Sequence, residues 1–525
     1  MGKTVADLIL EQLAAYGVQH IFGVIGDAVF PLADAFSRQT AIRFIPTTIE
    51  AAAAYAASAY AKSSGKLGVC VGTSGPGAAS LLSGTAEAFL DGAPFLCLTG
   101  QVAGIKYAPG NVQYLDQRLL FNAVTAQTQS CINPGAAIPA LTGLIYRALA
   151  TRTAVHLEIP TDILAQPASE GPVRPGSFQN DLRGTNIMAG DWEKSAATLQ
   201  SANRPVLVIG KEARPEAEGL LGFADKWGAG VILTQEAKGA LPDRHPLILG
   251  GIGEAHLPDC LAEADLILLV GTAVYEQRYF PSGSQMIQVL DHFPASLPAY
   301  PAVWADPAML SQRLGELIPE RIPREEWRHR VSLSHQERWK LVDDNRDPRH
   351  PLVFFRTLAQ HMPEDAVIAL DVGEFAYWFD TAFAASRQQV LLSSQWRGMG
   401  GAIPAGIAAC LLYPERKVVS IVGDGGFLMS LGELATVVRN QLPLTVFVLR
   451  NNQYGLENQK LSKDGFARFG TDLVLPDLVR LAESFGIRSH RIPDQLEGET
   501  AIAEALREAP ALVDVEVNSA PLAWL

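Results

Sequence analysis

Apolar runs of five to seven residues alternate along the chain with longer stretches whose apolar positions recur at helical spacing. Gly68-Val69-Cys70-Val71-Gly72 is followed by a Gly-rich turn, a segment of helical period to Leu90, Pro94 and a second apolar run to Gly100. Lys417-Val418-Val419-Ser420-Ile421-Val422-Gly423 is followed by Asp424-Gly425-Gly426, a segment of helical period to Arg439, Pro443 and a run ending near Arg450. A strand covered on both faces reads as a continuous apolar run, and a helix crossing between two such runs makes them parallel neighbours. The pattern predicts the α/β class with doubly wound parallel sheets. The two units look like copies of one supersecondary design.

A third α/β region lies between them, with strands predicted at 205–210, 230–233, 266–271 and 286–290. It follows a polar, Pro-rich stretch at 166–186. It precedes a charged segment at 321–350, where Glu325, Glu326, Arg328, His329, Arg330, Glu337 and Arg338 predict a solvated helix plus linker. These shifts in composition divide the chain into domains at 1–165, 190–325 and 350–525. Near the start, Val5, Leu8, Ile9 and Leu13 among Lys3, Asp7 and Glu11 predict an amphipathic helix rather than the apolar core of a secretion signal. The uncharged stretch at 67–86 is broken by Thr73-Ser74-Gly75-Pro76-Gly77, so it reads as strand, turn and helix start and not as a membrane span.

Composition narrows the class of protein. At 525 residues the chain exceeds one ordinary core, and 48% apolar with 18% charged residues is a globular balance. The net charge of −13 argues against a grip on nucleic acid. Cys70, Cys97, Cys131, Cys260 and Cys410, separated by 27, 34, 129 and 150 positions, spell neither a disulfide framework nor a zinc knuckle, and a reducing cytoplasm is expected. The expected partner is therefore a small molecule, with no nucleic acid and no membrane.

The most specific chemical signal is Gly423-Asp424-Gly425 followed, after 25 intervening residues, by Asn451-Asn452. One strand delivers Asp424 at its carboxyl end, a helix crosses over, and the next parallel strand delivers the Asn pair to the same edge. A carboxylate oxygen of Asp424, an amide oxygen assigned to Asn452 and a nearby main-chain carbonyl assigned to Tyr454 suit magnesium, whose remaining positions phosphate oxygens fill. Gly425 and Gly426 let backbone N–H groups approach a diphosphate at the start of a helix predicted to begin near Phe427.

With these residues in place the sequence resembles the thiamine-diphosphate (ThDP) enzymes of the pyruvate oxidase, acetolactate synthase and 2-oxo acid decarboxylase superfamily. The resemblance runs through Phe22-Gly23-Val24-Ile25-Gly26-Asp27, Glu50 ahead of an Ala-rich helix, Thr73-Ser74-Gly75-Pro76-Gly77, Pro94, Thr99-Gly100-Gln101 and Val155-His156-Leu157-Glu158-Ile159-Pro160. It continues through Asp371-Val372-Gly373, Trp378 and Gly398-Met399-Gly400. It implies a pyrimidine-binding domain, a central nucleotide-fold domain and a diphosphate-binding domain, with sites shared between subunits of a homodimer or homotetramer.

By position alone Glu50 reads as an acid at a helix N-terminus. The resemblance makes it the group that hydrogen-bonds the aminopyrimidine and activates the cofactor, with Ile49 standing where many relatives have His. It also implies that Met399 wedges under the cofactor, that main-chain groups of Arg397 and Met399 bind the pyrimidine, and that Gly373 and Glu374 lie against the diphosphate. Ile25, Gly26 and Thr73 join the cofactor-binding set. Gln113, in Val112-Gln113-Tyr114, matches the glutamine that oxidases and synthases place over the cofactor, and the His pair of decarboxylases is absent. Leu456 and Glu457 echo an apolar-acid pair of decarboxylases one residue out of step.

The central domain leaves FAD open. Gly210-Lys211-Glu212-Ala213 replaces the Gly-x-Gly turn of flavin-binding relatives, while 234–239, Gly271-Thr272 and Asp291 resemble their other strand-end segments. The expected function is decarboxylation of a small 2-oxo acid followed by carboligation to a second carbonyl. The alternatives are an FAD-dependent oxidase and a simple decarboxylase.

Overall fold

Three six-stranded sheets follow one another along the chain, and every strand pairing described in them is parallel. The computed structural model describes residues 2–168, 171, 192–252, 255, 257–271, 279–281, 283–290, 302–304, 307–318, 320–494 and 498–523. The first sheet contains β1 (His20–Gly23), β2 (Arg43–Pro46), β3 (Gly68–Gly72), β4 (Phe95–Gln101), β5 (Gln127–Ser130) and β6 (Ala154–Pro160), in the order β2-β1-β3-β4-β6-β5. The third contains β13 (Val367–Leu370), β14 (Gln389–Leu391), β15 (Val418–Gly423), β16 (Leu444–Arg450), β17 (Arg488–Ile492) and β18 (Ala511–Glu516), in the order β14-β13-β15-β16-β18-β17. Counted from its own first strand, each sheet runs 2-1-3-4-6-5, so the two units seen in the sequence share one topology.

The central sheet differs. Its strands are β7 (Pro205–Ile209), β8 (Gly230–Thr234), β9 (Ile248–Ile252), β10 (Leu266–Val270), β11 (Gln285–Leu290) and β12 (Ala302–Trp304), ordered β12-β11-β10-β7-β8-β9. Read from the β9 edge this is 3-2-1-4-5-6, the dinucleotide-fold order. Hydrophobic patterning misses β9, whose apolar run is broken by Gly250 and Gly251, and β12, a three-residue edge strand. Most of the Pro-rich stretch before this domain lies outside the described residues, as do Thr272 and Asp291.

Two further expectations are corrected. The segment at 321–350 is not a solvated linker, because the Glu325–Asp344 helix buries Trp327, Val331, Ser334, Arg338, Trp339 and Val342. Those residues make one stripe at helical spacing, and the Trp327 indole N–H donates to the Pro205 carbonyl at 3.0 Å. The helix after β15 begins on Asp424 itself, since extended Gly423 serves as its N-cap. The Ala-rich Glu50–Ser64 helix is covered on most sides, with Ala52 to Ala61 all buried in a core that also includes the Ala402–Leu412 helix of the third domain. Small side chains allow this: a Cβ on Gly84 would lie 2.5 Å from Ala54. Among the described residues no helix is long and apolar enough to cross a membrane.

Candidate active site

In a doubly wound sheet the loops at the carboxyl ends of the strands diverge where the winding reverses, and ligands bind in the crevice between them. Both outer sheets reverse between their first and third strands. In the third domain that point lies between the loop after β13 and the loop after β15, and a cleft of about 180 Å³ opens there. Its walls include Gly373, Glu374, Arg397, Met399, Asp424, Gly425, Gly426, Asn451 and Tyr454.

Asp424 is 4% exposed. One carboxylate oxygen accepts the Gly425 N–H at 2.9 Å, and the other accepts those of Asn451 and Asn452 at 3.0 and 2.5 Å. The carboxylate thus draws the ends of β15 and β16 together. Burial pushes its pKa up in spite of these hydrogen bonds. Burial also raises Glu374, with the nearby Asp424 charge adding to it. A divalent cation against Asp424 would favour its ionised form, so this raised carboxyl fits a site completed by a metal. The glycines fit a diphosphate: Cβ atoms on Gly425 and Gly426 would strike the Tyr454 ring and the Asp371 carboxylate, so only bare backbone lines the wall here.

The two other predicted metal residues lie beside Asp424, at the end of β16 and in the turn that follows it. Asn452 is exposed and has a left-handed backbone with φ 58°, whereas Asn451, whose side-chain oxygen accepts the Gln453 N–H at 3.2 Å, lines the cleft wall. Spacing alone fixes the end of a strand but not which of two adjacent residues faces inward. Tyr454 presents its ring to Gly425, and its carbonyl is the first acceptor of the Gly455–Lys463 helix, from Asn458 at 3.0 Å. Glu374 lines the cleft, but its carboxylate accepts from the Ser519 hydroxyl at 2.8 Å and from the Ala520 N–H, which pins the C-terminal segment.

Asp371 carries more of the site than the sequence showed. Fully enclosed, it accepts the Val372 N–H at 2.8 Å and the Gly400 N–H at 2.8 Å, and burial pushes its pKa up to about 7. It therefore ties the loop after β13 to the turn holding Arg397 (φ 52°) and half-buried Met399. That turn is also braced by the first domain. Asp91 accepts from the Ser394 and Gln395 N–H groups at 3.1 and 2.9 Å, and Lys62 bonds Asp91, Glu87 and the Leu392 carbonyl at 2.8, 2.8 and 2.7 Å.

The remaining candidates gather at the equivalent reversal in the first sheet, between β1 and β3. A Cβ on Gly26 would lie 2.6 Å from Thr73, and one on Gly77 would lie 3.1 Å from a carboxylate oxygen of half-buried Glu50. Gly75, at φ 58°, lets the Gln113 main chain approach, and the Ser74 hydroxyl lies 3.4 Å from the Gln113 side-chain oxygen. Ile25, Gly26, Glu50, Thr73 and Gln113 thus share one surface. Within one chain it is separate from the cleft, no lining residue of which precedes Pro351.

In the central domain the reversal lies between β7 and β10, and the chain itself fills it. Ala213 packs on Gly271 so closely that no Cβ would fit there. The half-buried Lys211 ammonium donates to the Asp91 carbonyl at 2.7 Å and faces Glu236 and Glu212 at 3.5 and 3.7 Å. Two carboxylates and a closed turn do not suit a dinucleotide diphosphate, so the described part of this crevice does not fit FAD.

Three models of the thiamine pyrophosphate enzyme family match the chain in order: the N-terminal TPP binding domain at 3–120, the central domain at 192–314 and the C-terminal TPP binding domain at 371–515. The chain is 30% identical to the putative thiamine pyrophosphate-containing protein YdaP of Bacillus subtilis (strain 168), over 99% of this chain and 92% of the relative. It is 28% identical to the acetolactate synthase isozyme 1 large subunit of Escherichia coli (strain K12), over 98% of this chain and 94% of that one. It is also 28% identical to the pyruvate oxidase of Lactiplantibacillus plantarum, over 97% and 88%. Matched in all three parts and along nearly its whole length, the chain belongs to the thiamine pyrophosphate enzyme family and is a ThDP-dependent enzyme that forms or cleaves C–C bonds.

Proposed function

We propose that the enzyme decarboxylates a small 2-oxo acid with ThDP and magnesium and joins the resulting acyl fragment to a second carbonyl compound, an activity of the acetolactate synthase type. When bound, ThDP supplies the electron sink that decarboxylation requires. The chain holds and orients. Bare backbone at Gly425 and Gly426 faces the diphosphate, and Asp424, Asn451 and a main-chain oxygen of the Gln453–Tyr454 turn hold the metal. Met399 and the main chain at Arg397 meet the pyrimidine. Glu50 holds the proton at the aminopyrimidine, and Gln113 donates as a neutral group to oxygen where negative charge develops.

Composite sites in a homodimer or homotetramer follow from the separation of the two half-sites within one chain. Exposed apolar residues adjoin both in sequence: Val112 at 83% next to Gln113, and Phe469 at 91% next to Arg468, which donates to the cleft residue Gln453. Five buried free cysteines fit a cytoplasmic location.

Carboligation rests chiefly on the crevice between β7 and β10. An oxidase passes electrons to a second group, and the closed turn at Ala213 with Glu212 and Glu236 beside Lys211 disfavours a flavin as that group. Pyruvate supplied alone should give carbon dioxide and a 2-hydroxy-3-oxo acid in a 2:1:1 ratio of substrate to the two products, about as carbon balance requires. Stoichiometric peroxide or quinone reduction, or free aldehyde as the sole product, would replace carboligation by the oxidase or the decarboxylase.

The metal assignment is separable. Asn451→Ala should weaken magnesium-dependent ThDP binding by roughly 10- to 100-fold, whereas Asn452→Gly, which keeps the left-handed turn, should change it by less than about threefold. Titration calorimetry of both variants checks this, and the reverse ranking would return the ligand role to Asn452.

A further inference from the structure

The turn that delivers Glu50 is held by the far end of the chain. The Glu433–Arg439 helix lies along the segment from β2 to Glu50, and three residues on one of its faces, Glu433, Thr436 and Asn440, reach it. Glu433 is fully buried. One of its carboxylate oxygens accepts the Thr48 N–H at 3.0 Å and also the Thr48 hydroxyl, and the other accepts the Thr436 hydroxyl at 2.6 Å. The Thr436 hydroxyl lies 3.5 Å from the Pro46 carbonyl, and Arg43 donates to the Asn440 side chain at 2.9 Å. A Cβ on Gly432 would meet the Thr48 hydroxyl at 2.9 Å, so the helix approaches as closely as a glycine permits.

Local structure supplies little of this restraint. Ile49 is the N-cap of the Glu50–Ser64 helix and has no side-chain acceptor for the first N–H groups. On the domain's own side, Thr47 bonds the Gly23 carbonyl through its N–H at 3.0 Å and its hydroxyl donates to the Ile49 carbonyl at 3.0 Å, while both donors of Thr48, at the crest between them, go to Glu433.

We infer that Glu433 is a positioning residue for Glu50, clamping the Thr47–Ile49 turn so that the Glu50 carboxyl meets the aminopyrimidine in register. This rests on the proposed role of Glu50 in holding the cofactor's proton. A proton-holding group works only within hydrogen-bond reach of its target, and a misplacement of ~1 Å costs about 100-fold. Glu433 lines no part of the cofactor cleft, so it acts on Glu50 through Thr48 and, by way of Thr436, through the Pro46 end of the turn.

The test uses Glu433→Ala, Glu433→Gln and Thr48→Val in the full chain, with three readouts: backbone amide exchange at 47–51 without cofactor, exchange of the thiazolium C2 proton of bound ThDP, and kcat with KM. Glu433→Ala should raise amide exchange at 47–51 and slow C2 exchange and kcat together by roughly 10- to 100-fold, with KM and cofactor affinity within about threefold of wild type. Glu433→Gln keeps an oxygen for both Thr48 donors and should recover most of the loss. Thr48→Val removes the hydroxyl bond but keeps the main-chain one, and should slow C2 exchange by roughly three- to tenfold. Unchanged C2 exchange in folded Glu433→Ala, with only a lower Tm, overturns the inference and leaves a structural role. If Glu433→Ala does not fold, Thr48→Val decides by the same measure. A wild-type protein that binds no magnesium–ThDP would overturn the cofactor reading itself, an outcome distinct from normal wild-type exchange that the variants leave unaltered.

Discussion

Asp424→Ala should lose magnesium-dependent ThDP binding by more than roughly 100-fold, the largest single effect expected in the diphosphate-binding domain. Two losses coincide. In the proposed site the metal loses its carboxylate ligand, and the Gly425, Asn451 and Asn452 N–H groups lose the acceptor that holds the β15 and β16 loops at one edge. Asp424→Asn separates them in part, because its one amide oxygen can still accept the Asn451 and Asn452 N–H groups while its NH2 gives up the Gly425 bond and brings no charge to the cation. It should lose less thermal stability than the alanine variant while binding ThDP almost as poorly. Calorimetry with and without magnesium reads both. Tight binding by Asp424→Ala would remove Asp424 from the metal site.

Asp424 stands out in the sequence, whereas which residue of the neighbouring Asn pair turns toward it does not. A glycine on either side of an acid, at the end of an apolar run, is a strand-to-helix turn open to phosphate, and the Asn pair 25 residues on is what sets it apart from an ordinary Gly-rich turn. The Asn pair lies at the end of the next strand, where alternation along β16 stops and the backbone turns left-handed at Asn452. Periodicity carries no information past that point. Topology is legible for a similar reason. β3, β4, β15 and β16 are covered on both faces and appear as unbroken apolar runs, whereas β9 is interrupted by Gly250 and Gly251, the latter crowded by Asp380.

What stays hidden in the sequence is long-range. Glu433 and Thr48 are 385 positions apart, and Lys62 and the Leu392 carbonyl are 330 apart. In the sequence Glu433 is an acid inside the segment of helical period that runs to Arg439, and Lys62 a cation in the helix that follows Glu50, each an ordinary surface role. Only the packing of the Ala-rich helix between two domains buries them and forces each to find partners. Asp371 opens the Asp-Val-Gly segment of the family pattern, yet its hold on Gly400 depends on a loop that spacing does not place.

Glu50→Gln should cut turnover by roughly 100-fold or more while folding is nearly unchanged, because glutamine preserves shape and hydrogen-bonding oxygen but cannot hold and release the proton. The helix-capping alternative makes the opposite forecast, a lower Tm with normal turnover. Combining this variant with Asp424→Ala then tests where the active site is built. If each site joins Glu50 of one subunit to Asp424 of another, a mixed dimer has one site carrying both defects and one carrying neither. Random exchange of equal amounts makes half of the dimers mixed, with one intact site of two, so about a quarter of wild-type activity should return from two nearly inactive proteins. Sites built within single chains would recover nothing, since every chain would still carry its own defect. A monomer active at high dilution would likewise put each site within one chain. Recovery near one quarter, measured after co-expression with the two chains separately tagged, would therefore place Glu50 and Asp424 of different subunits in one catalytic centre.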